Sequence, residues 1–383
     1  MPAGPANIAP VDGVIALALA ASCLWAGATA RRLRFPYGLS VAVFVVGGAL
    51  GALAGPVPTR STIALVQDLA LLAWCWAVVN ISRSPKALKI LLTTWAYSSI
   101  VWVAVLFTGL AAGSAALTGR VAREGSRTAL TFADPNVSAN YYVLSIMIIW
   151  AVQRPQRMPL RLAAYTLLLA AIATSGSNSG ALSLVTACAV ASIAGIYRRG
   201  GAVPAITALT VLVLAGYFTA SNIHLKDITE RAHNSRYAFV RDWIGRGEVS
   251  TSERDTLLHE SIALYFAGGP LGQGPVSTKP RLQRDLAPFV KEAHDDYLAA
   301  LVERGALGFI GLFLLVCALL ARARCVAATR LSTAFAAVVI RPNALAGAVA
   351  GTLVAGTTYE LLHVRHVWAL FAFLAAIYAW GRE

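Results

Sequence analysis

Charge is what this chain has least of. Asp, Glu, Lys and Arg make up only 13% of its 383 residues, where a soluble domain carries about a quarter. That shortage, with a mean hydropathy of +0.65, excludes an ordinary water-soluble globule. Cysteine is sparse too. Cys23, Cys75, Cys188 and Cys317 fall in apolar runs and Cys325 in a basic loop, without the paired spacing of a zinc site or a disulfide framework. They read as small packing residues. No Asp-x-Asp or His-x-x-x-His cluster offers a metal site, so neither metal nor cofactor is expected. Internal repeats and low-complexity tracts are missing. A basic and aromatic platform is missing as well, so the net charge of +14 does not signal nucleic-acid binding. Met1 to Gly13 holds no Lys or Arg and no cleavage site follows, so the first apolar run reads as a retained anchor.

What the chain does have is apolar runs of roughly twenty residues, the length that crosses a bilayer as a helix. Eleven spans are expected, near 13–30, 37–55, 62–81, 88–113, 137–153, 160–174, 180–197, 201–220, 304–321, 343–362 and 364–380. Segment 326–342 is ambiguous and leaves room for a further half-span. The basic residues then fall into a pattern. Arg31, Arg32 and Arg34, then Arg83, Lys86 and Lys89, then Arg154, Arg157 and Arg161, then Arg198 and Arg199, then Arg322, Arg324, Arg330 and Arg341, and finally Arg382 follow every second span. With alternating spans these loops share one face, which the positive-inside rule makes cytoplasmic. The N-terminus is then outside and the C-terminus inside. The fold class is an all-α polytopic membrane protein with about 11–12 transmembrane helices. Its organisation divides into residues 1–220, a large extracytoplasmic helical loop at 221–303, and residues 304–383.

All six histidines (His224, His233, His259, His294, His363 and His366) lie on the outer face. Most of the non-membrane chain is there, so this is either simple polarity or an external active site. In the large loop, Ser252 to Asp255 reads as a capping box opening a helix that stops at Gly268-Gly269-Pro270. Arg254 then sits in a first turn, where the helix end and a guanidinium suit a phosphate; a solvated arginine, or one paired with Asp255, is the plainer reading. A second helix is expected from Pro288 to Gly305, with His294, Tyr297, Leu298 and Leu301 on one face. Secondary candidates are Asp68, an intramembrane acid that either lines a cavity or locks the bundle, and the external-turn group Glu360, His363, Arg365 and His366. Trp150 and Trp368, near span ends, read as interface anchors.

The stretch His294-Asp295-Asp296-Tyr297-Leu298, followed by Glu303-Arg304-Gly305-Ala306-Leu307-Gly308, resembles the signature of the O-antigen ligase and Wzy-type polymerase superfamily, roughly His-Asn-x-Tyr-Leu and then Glu-x-Gly-x-x-Gly. Arg254 with Gly269-Pro270-Leu271-Gly272-Gln273-Gly274, and Arg127 with Phe132-Ala133-Asp134-Pro135-Asn136, match further pieces in the same order. The resemblance covers about residues 120–315. Two departures stand out. Asp295 replaces the usual Asn, and Ser177-Asn178-Ser179-Gly180 stands where members carry Ser-Arg-Gly. Arg120, Arg123 or Arg365 are candidates to supply that missing arginine.

The resemblance implies a glycosyltransferase with a GT-C-like arrangement in the bacterial inner membrane. It would transfer a glycan from a polyprenyl diphosphate carrier to a hydroxyl of a glycan, lipid or glycolipid acceptor, outside the cytoplasm, as in polysaccharide and cell-envelope biosynthesis. His294 would be the base, and Arg254 and Arg127 would stabilise the diphosphate. Glu303 and Tyr297 belong to the same motif. Attack opposite the leaving group would invert the anomeric centre without a metal. The alternatives are a lipid or glycan transporter or flippase, or a non-catalytic envelope subunit.

Overall fold

The computed structural model describes residues 10–29, 33–120, 125–222, 225–237, 240–241, 247–284 and 295–382. Its helices in chain order are α1 (Pro10–Thr29), α2 (Gly38–Ala54), α3 (Pro58–Ile81), α4 (Pro85–Ala111), α5 (Ala115–Thr118), α6 (Pro135–Val152), α7 (Met158–Ser175) and α8 (Asn178–Gly200). They continue as α9 (Ala202–Asn222), α10 (Leu225–His233), α11 (Gly247–Gly268), α12 (Thr278–Arg284), α13 (Asp296–Ala328), α14 (Thr333–Ala336), α15 (Pro342–Ala355) and α16 (Arg365–Trp380). The protein is an all-α polytopic membrane protein. Helices α3, α4, α6, α7, α8 and α13 are long and apolar enough to cross a bilayer, and five shorter apolar helices complete the eleven expected segments. Proline opens α3, α4, α6 and α15, where its missing N–H costs nothing and its fixed φ suits the first turn.

Two expected boundaries move. The tenth segment ends at Ala355 rather than 362, because the carboxylate of Asp296 accepts the N–H groups of Leu361 and Leu362 and holds that stretch out of a helix. Segment 326–342 holds no extra half-span. It contains the end of α13, the four-residue α14 and a turn into α15.

One compact unit comprises Met1–Leu88, Glu253–Arg322 and Gly356–Gly381. In it α3 packs against α1, α2 and α16. Gly47 and Gly51 of α2, with Gly55 just past its end, form one stripe facing α13 and the loop before α12. A Cβ on Gly51 would stand 2.6 Å from the Glu303 carbonyl, and one on Gly55 would strike the Gln273 carbonyl. Small residues at this spacing let helix backbones touch, which is how bundles gain packing energy inside a bilayer. At the opposite end of the unit, the guanidinium groups of Arg34 and Arg83 lie 5.1 and 4.8 Å from the Trp380 ring centre. Arg322 stands over Tyr37 at 4.5 Å. Asn80 clamps the strand-like stretch before α2, accepting from the Arg34 N–H and donating to its carbonyl at 2.8 and 2.9 Å. Three loops that the alternation of spans puts on one face therefore meet at one end of this unit.

The other unit comprises Lys89–Ser252, Ala323–Ala355 and Arg382–Glu383. Helix α6 is its centre, buried over most of its length, with α7, α8 and α15 packed around it. Helix α15 lies close on α8: a Cβ on Gly351 would come within 2.6 Å of the Ser183 carbonyl, and the Asn343 amide donates to the Ala191 carbonyl at 2.6 Å.

Candidate functional site

In the α6-centred unit, the chemistry gathers where α6 and α8 begin and α7 ends. Ala133 takes a left-handed conformation (φ 58°), turning the chain so that Asp134 caps α6. Its carboxylate accepts the N–H groups of Asn136 and Val137 at 2.7 and 3.3 Å. Ser177 caps α8 by accepting the Gly180 N–H at 3.0 Å. The side chain of Asn136 ties the two helix starts together, its oxygen accepting from the Ser177 hydroxyl at 2.8 Å and from Arg127 Nη2 at 3.1 Å. Arg127 Nε donates to the Ser175 carbonyl at 2.8 Å, at the last turn of α7. Arg127 is buried. A guanidinium held by two partners beside two helix N-termini makes a positive, pre-organised spot suited to an anion.

This arrangement bears on the arginine missing from the Ser177–Gly180 loop. Arg127 comes from an earlier part of the chain to the end of α7, where it bonds the Ser175 carbonyl, and meets Ser177 through the shared Asn136 oxygen. Arg120 is exposed, and Arg123 lies outside the described residues.

In the other unit, two motifs interlock. The N–H groups of Gln273 and Gly274 donate to the carbonyls of Val302 and Glu303 at 3.0 and 2.8 Å, and Ala306 N–H donates to the Pro270 carbonyl at 2.9 Å. Gly305 kinks α13 with φ 67° and ψ −170°, a conformation open to glycine, and a Cβ there would meet the Pro270 carbonyl. The Glu303 carboxylate accepts from the Val276 N–H and the Thr278 hydroxyl, each at 2.8 Å. Glu303 therefore holds the loop before α12. Asp68 is 2.6 Å from Arg304 Nη2, an ion pair between α3 and α13. Leu257, Leu264, Leu282, Leu298 and Val302 form the buried cluster that seats α11 and α12 on the first turns of α13.

The local expectations for this loop change in two places. Helix α11 begins at Gly247, not after Ser252, so Arg254 stands in its third turn and gains nothing from a free helix N-terminus. Helix from Gly247 onward leaves Ser252 inside the helix and not at its cap. The helix expected from Pro288 falls on residues outside the described set, as does His294 itself. The helix that ends at the Gly305 kink starts at Asp296, because Asp295 Oδ1 accepts the N–H groups of Tyr297 and Leu298 at 2.7 and 2.9 Å. Asp295 therefore caps the helix that follows it. Burial raises the Asp295 carboxyl above its ordinary range, against the pull of those two N–H groups.

The Asp295 geometry explains one departure from the familiar signature, since Asp and Asn cap helices about equally well. Asp295→Asn is expected to leave stability unchanged, whereas Asp295→Ala is expected to cost about 1 kcal/mol; thermal unfolding of the purified variants checks both. In the external turn, Glu360, Arg365 and His366 are half-buried and His363 is exposed. Trp368 is no interface anchor. It is buried, and its indole donates to the Leu362 carbonyl at 2.6 Å, because the 356–364 turn folds back over the start of α16. Sequence reasoning missed Asn136 and Ser177 as orienting groups and Arg304 as the partner of Asp68. The Pro-Asn and Ser-x-x-Gly capping patterns were the available signals for the first two.

Residues 163–313 match the family model described as O-antigen ligase, a stretch running from α7 past the Gly305 kink and including Arg254, His294 and Glu303. The match supports an O-antigen ligase or Wzy-like family for this chain. Among curated proteins, none matches it.

Proposed function

We propose that this protein transfers a glycan from a polyprenyl diphosphate carrier to an acceptor hydroxyl on the extracytoplasmic face of the bacterial inner membrane. The observation that carries the reading is the O-antigen ligase match over 163–313, which takes in the whole of the polar stretch 221–303 between the membrane segments of 1–220 and 304–383. That polar stretch is the extracytoplasmic part, with the N-terminus outside and the C-terminus inside, as the basic loops indicate.

In this mechanism the acceptor oxygen attacks the anomeric carbon, the bond from that carbon to the diphosphate oxygen breaks, and the electron pair leaves on the diphosphate. His294 takes the acceptor proton, a role suited to an imidazole near neutrality. Arg254 and Arg127 offset the growing charge of the leaving group through charge-assisted hydrogen bonds. Attack from the face opposite the diphosphate inverts the centre, and no metal is invoked. The held guanidinium of Arg127, with two of its nitrogens already oriented, supports its part in this scheme.

The test is transfer from a purified polyprenyl diphosphate glycan by the protein reconstituted in lipid. His294→Ala and Arg254→Ala are each expected to lose at least ~10²-fold in rate, the range for losing a general base or an anion-stabilising donor. Carrier movement across the bilayer without a new glycosidic bond would assign the protein to transport instead. Near-normal transfer by both variants would end the residue assignment.

A further inference from the structure

In the α6-centred unit a small pocket of about 60 Å³ opens at the ends of three elements: the second turn of α4, the end of α6 and the turn before α15. Its polar wall carries Lys89, Thr93, Gln153, Arg154 and Gln156, and its apolar wall carries Ile340, which is 52% exposed. The volume suits a phosphate-sized group, since a cavity holds one water in roughly 15 Å³ counted the same way.

Among the described residues, the cations here have no counter-charge of their own. No Asp or Glu occurs in 69–123, 135–226 or 304–359, the stretches that build the pocket walls and their surroundings. Among the described residues, neither Lys89 nor Arg154 makes an ion pair. The same region holds Arg161, whose guanidinium donates to the Gln153 carbonyl at 3.2 Å, and Arg341, whose N–H donates to the Ala151 carbonyl at 2.9 Å. Like charges crowded at a low-dielectric boundary repel, and the cost falls when an outside anion enters. Gln156 adds a side-chain amide to the same wall, while that of Gln153 donates to the Trp150 carbonyl at 2.7 Å.

We propose that this pocket binds the phosphate-bearing headgroup of an anionic phospholipid. A lipid is favoured over a free anion because the cationic wall meets an exposed apolar one at the ends of membrane helices, so a headgroup and the base of its acyl chain are matched together. Juxtamembrane Lys and Arg gain about 1 kcal/mol each beside an anionic leaflet, and a pocket between spans adds selectivity to that general attraction. The assignment concerns the face carrying the basic loops and is independent of the glycan-transfer reading.

The experiment measures phospholipid retained by the full-length protein after extraction, by native mass spectrometry, with phosphatidylglycerol and phosphatidylcholine offered in equal amounts. Wild type is expected to retain phosphatidylglycerol, and the double variant Lys89→Ala/Arg154→Ala to lose it at least tenfold, about what two charges at roughly 1 kcal/mol each supply. Thr93→Met, which fills the pocket without touching a charge, is expected to lose retention as well. The control Arg198→Ala/Arg199→Ala removes two basic residues from the last turn of α8, on the same face, and is expected to retain the lipid. Equal loss in that control means general surface electrostatics and overturns the site. So does undiminished retention in the Lys89/Arg154 variant, or displacement of the lipid by millimolar inorganic phosphate.

Discussion

Arg127→Ala is expected to cut glycan transfer by about 10²- to 10³-fold, the loss typical of removing one donor that stabilises developing negative charge. The structure gives this residue two partners that fix its plane: the Ser175 carbonyl at 2.8 Å and the Asn136 side chain at 3.1 Å. A lysine has the charge but not the fork, so it cannot hold both contacts with one planar group. Arg127→Lys is therefore expected to recover only part of the rate. Asn136→Ala keeps the arginine and removes the group that orients it and links it to Ser177. Its expected loss is smaller than that of Arg127→Ala. A merely structural role predicts a different ranking, in which rate losses follow losses in thermal stability and Arg127→Lys tracks the wild type in both. Measuring turnover at saturating donor together with the unfolding temperature separates these patterns. Wild-type turnover by Arg127→Ala would remove the residue from the mechanism.

Much of the architecture was legible because a bilayer makes the sequence signal coarse and strong: long apolar runs, broken by basic loops, each become a helix. All eleven expected segments have their counterparts in α1–α4, α6–α9, α13, α15 and α16. What failed was local. The start of α11 was misplaced because Ser252 to Asp255 satisfies a capping pattern that α11, begun at Gly247, does not use. The last residues of the tenth segment were apolar enough to extend a helix, but the N–H groups of Leu361 and Leu362 bond the Asp296 carboxylate instead. That contact joins positions 65 and 66 residues apart, which no periodicity encodes. The contact of Arg127 with the end of α7 was invisible for the same reason. A loop motif names its own residues, whereas Arg127 reaches Ser175 from 48 residues earlier. The glycines of α2 read as an ordinary apolar run and gained their meaning only when the α13 backbone was seen against them.

Another long-range contact carries the second large expectation: Asp68→Ala should destabilise the protein by ~3–5 kcal/mol, the cost of stranding a buried charge. Asp68 and Arg304 lie 236 residues apart, and their side chains are 16% and 10% exposed at a separation of 2.6 Å. The guanidinium packs against α2, 4.0 Å from the Phe44 ring centre and close to Gly48 one turn on. Its Nη1 has no hydrogen-bond partner among the described residues, so the Asp68 carboxylate, in direct contact, is the main charge that keeps it tolerable in an apolar bundle, with Glu303 and Asp296 acting on it from further off. The companion variant Asp68→Leu/Arg304→Met removes both charges and is expected to recover most of the stability, because a buried pair replaced by apolar side chains of similar volume is close to neutral. Unfolding of the detergent-solubilised proteins provides the comparison, and the double variant remains informative if Asp68→Ala is too unstable to purify. The pair also joins α3 to the residue beside Glu303, whose carboxylate holds the loop entering α12. Loss of the lock should therefore loosen that loop, read as faster amide exchange at Val276 and Thr278. A wild-type unfolding temperature in Asp68→Ala, or a double variant no better than the single one, would show that the ion pair does not hold the bundle.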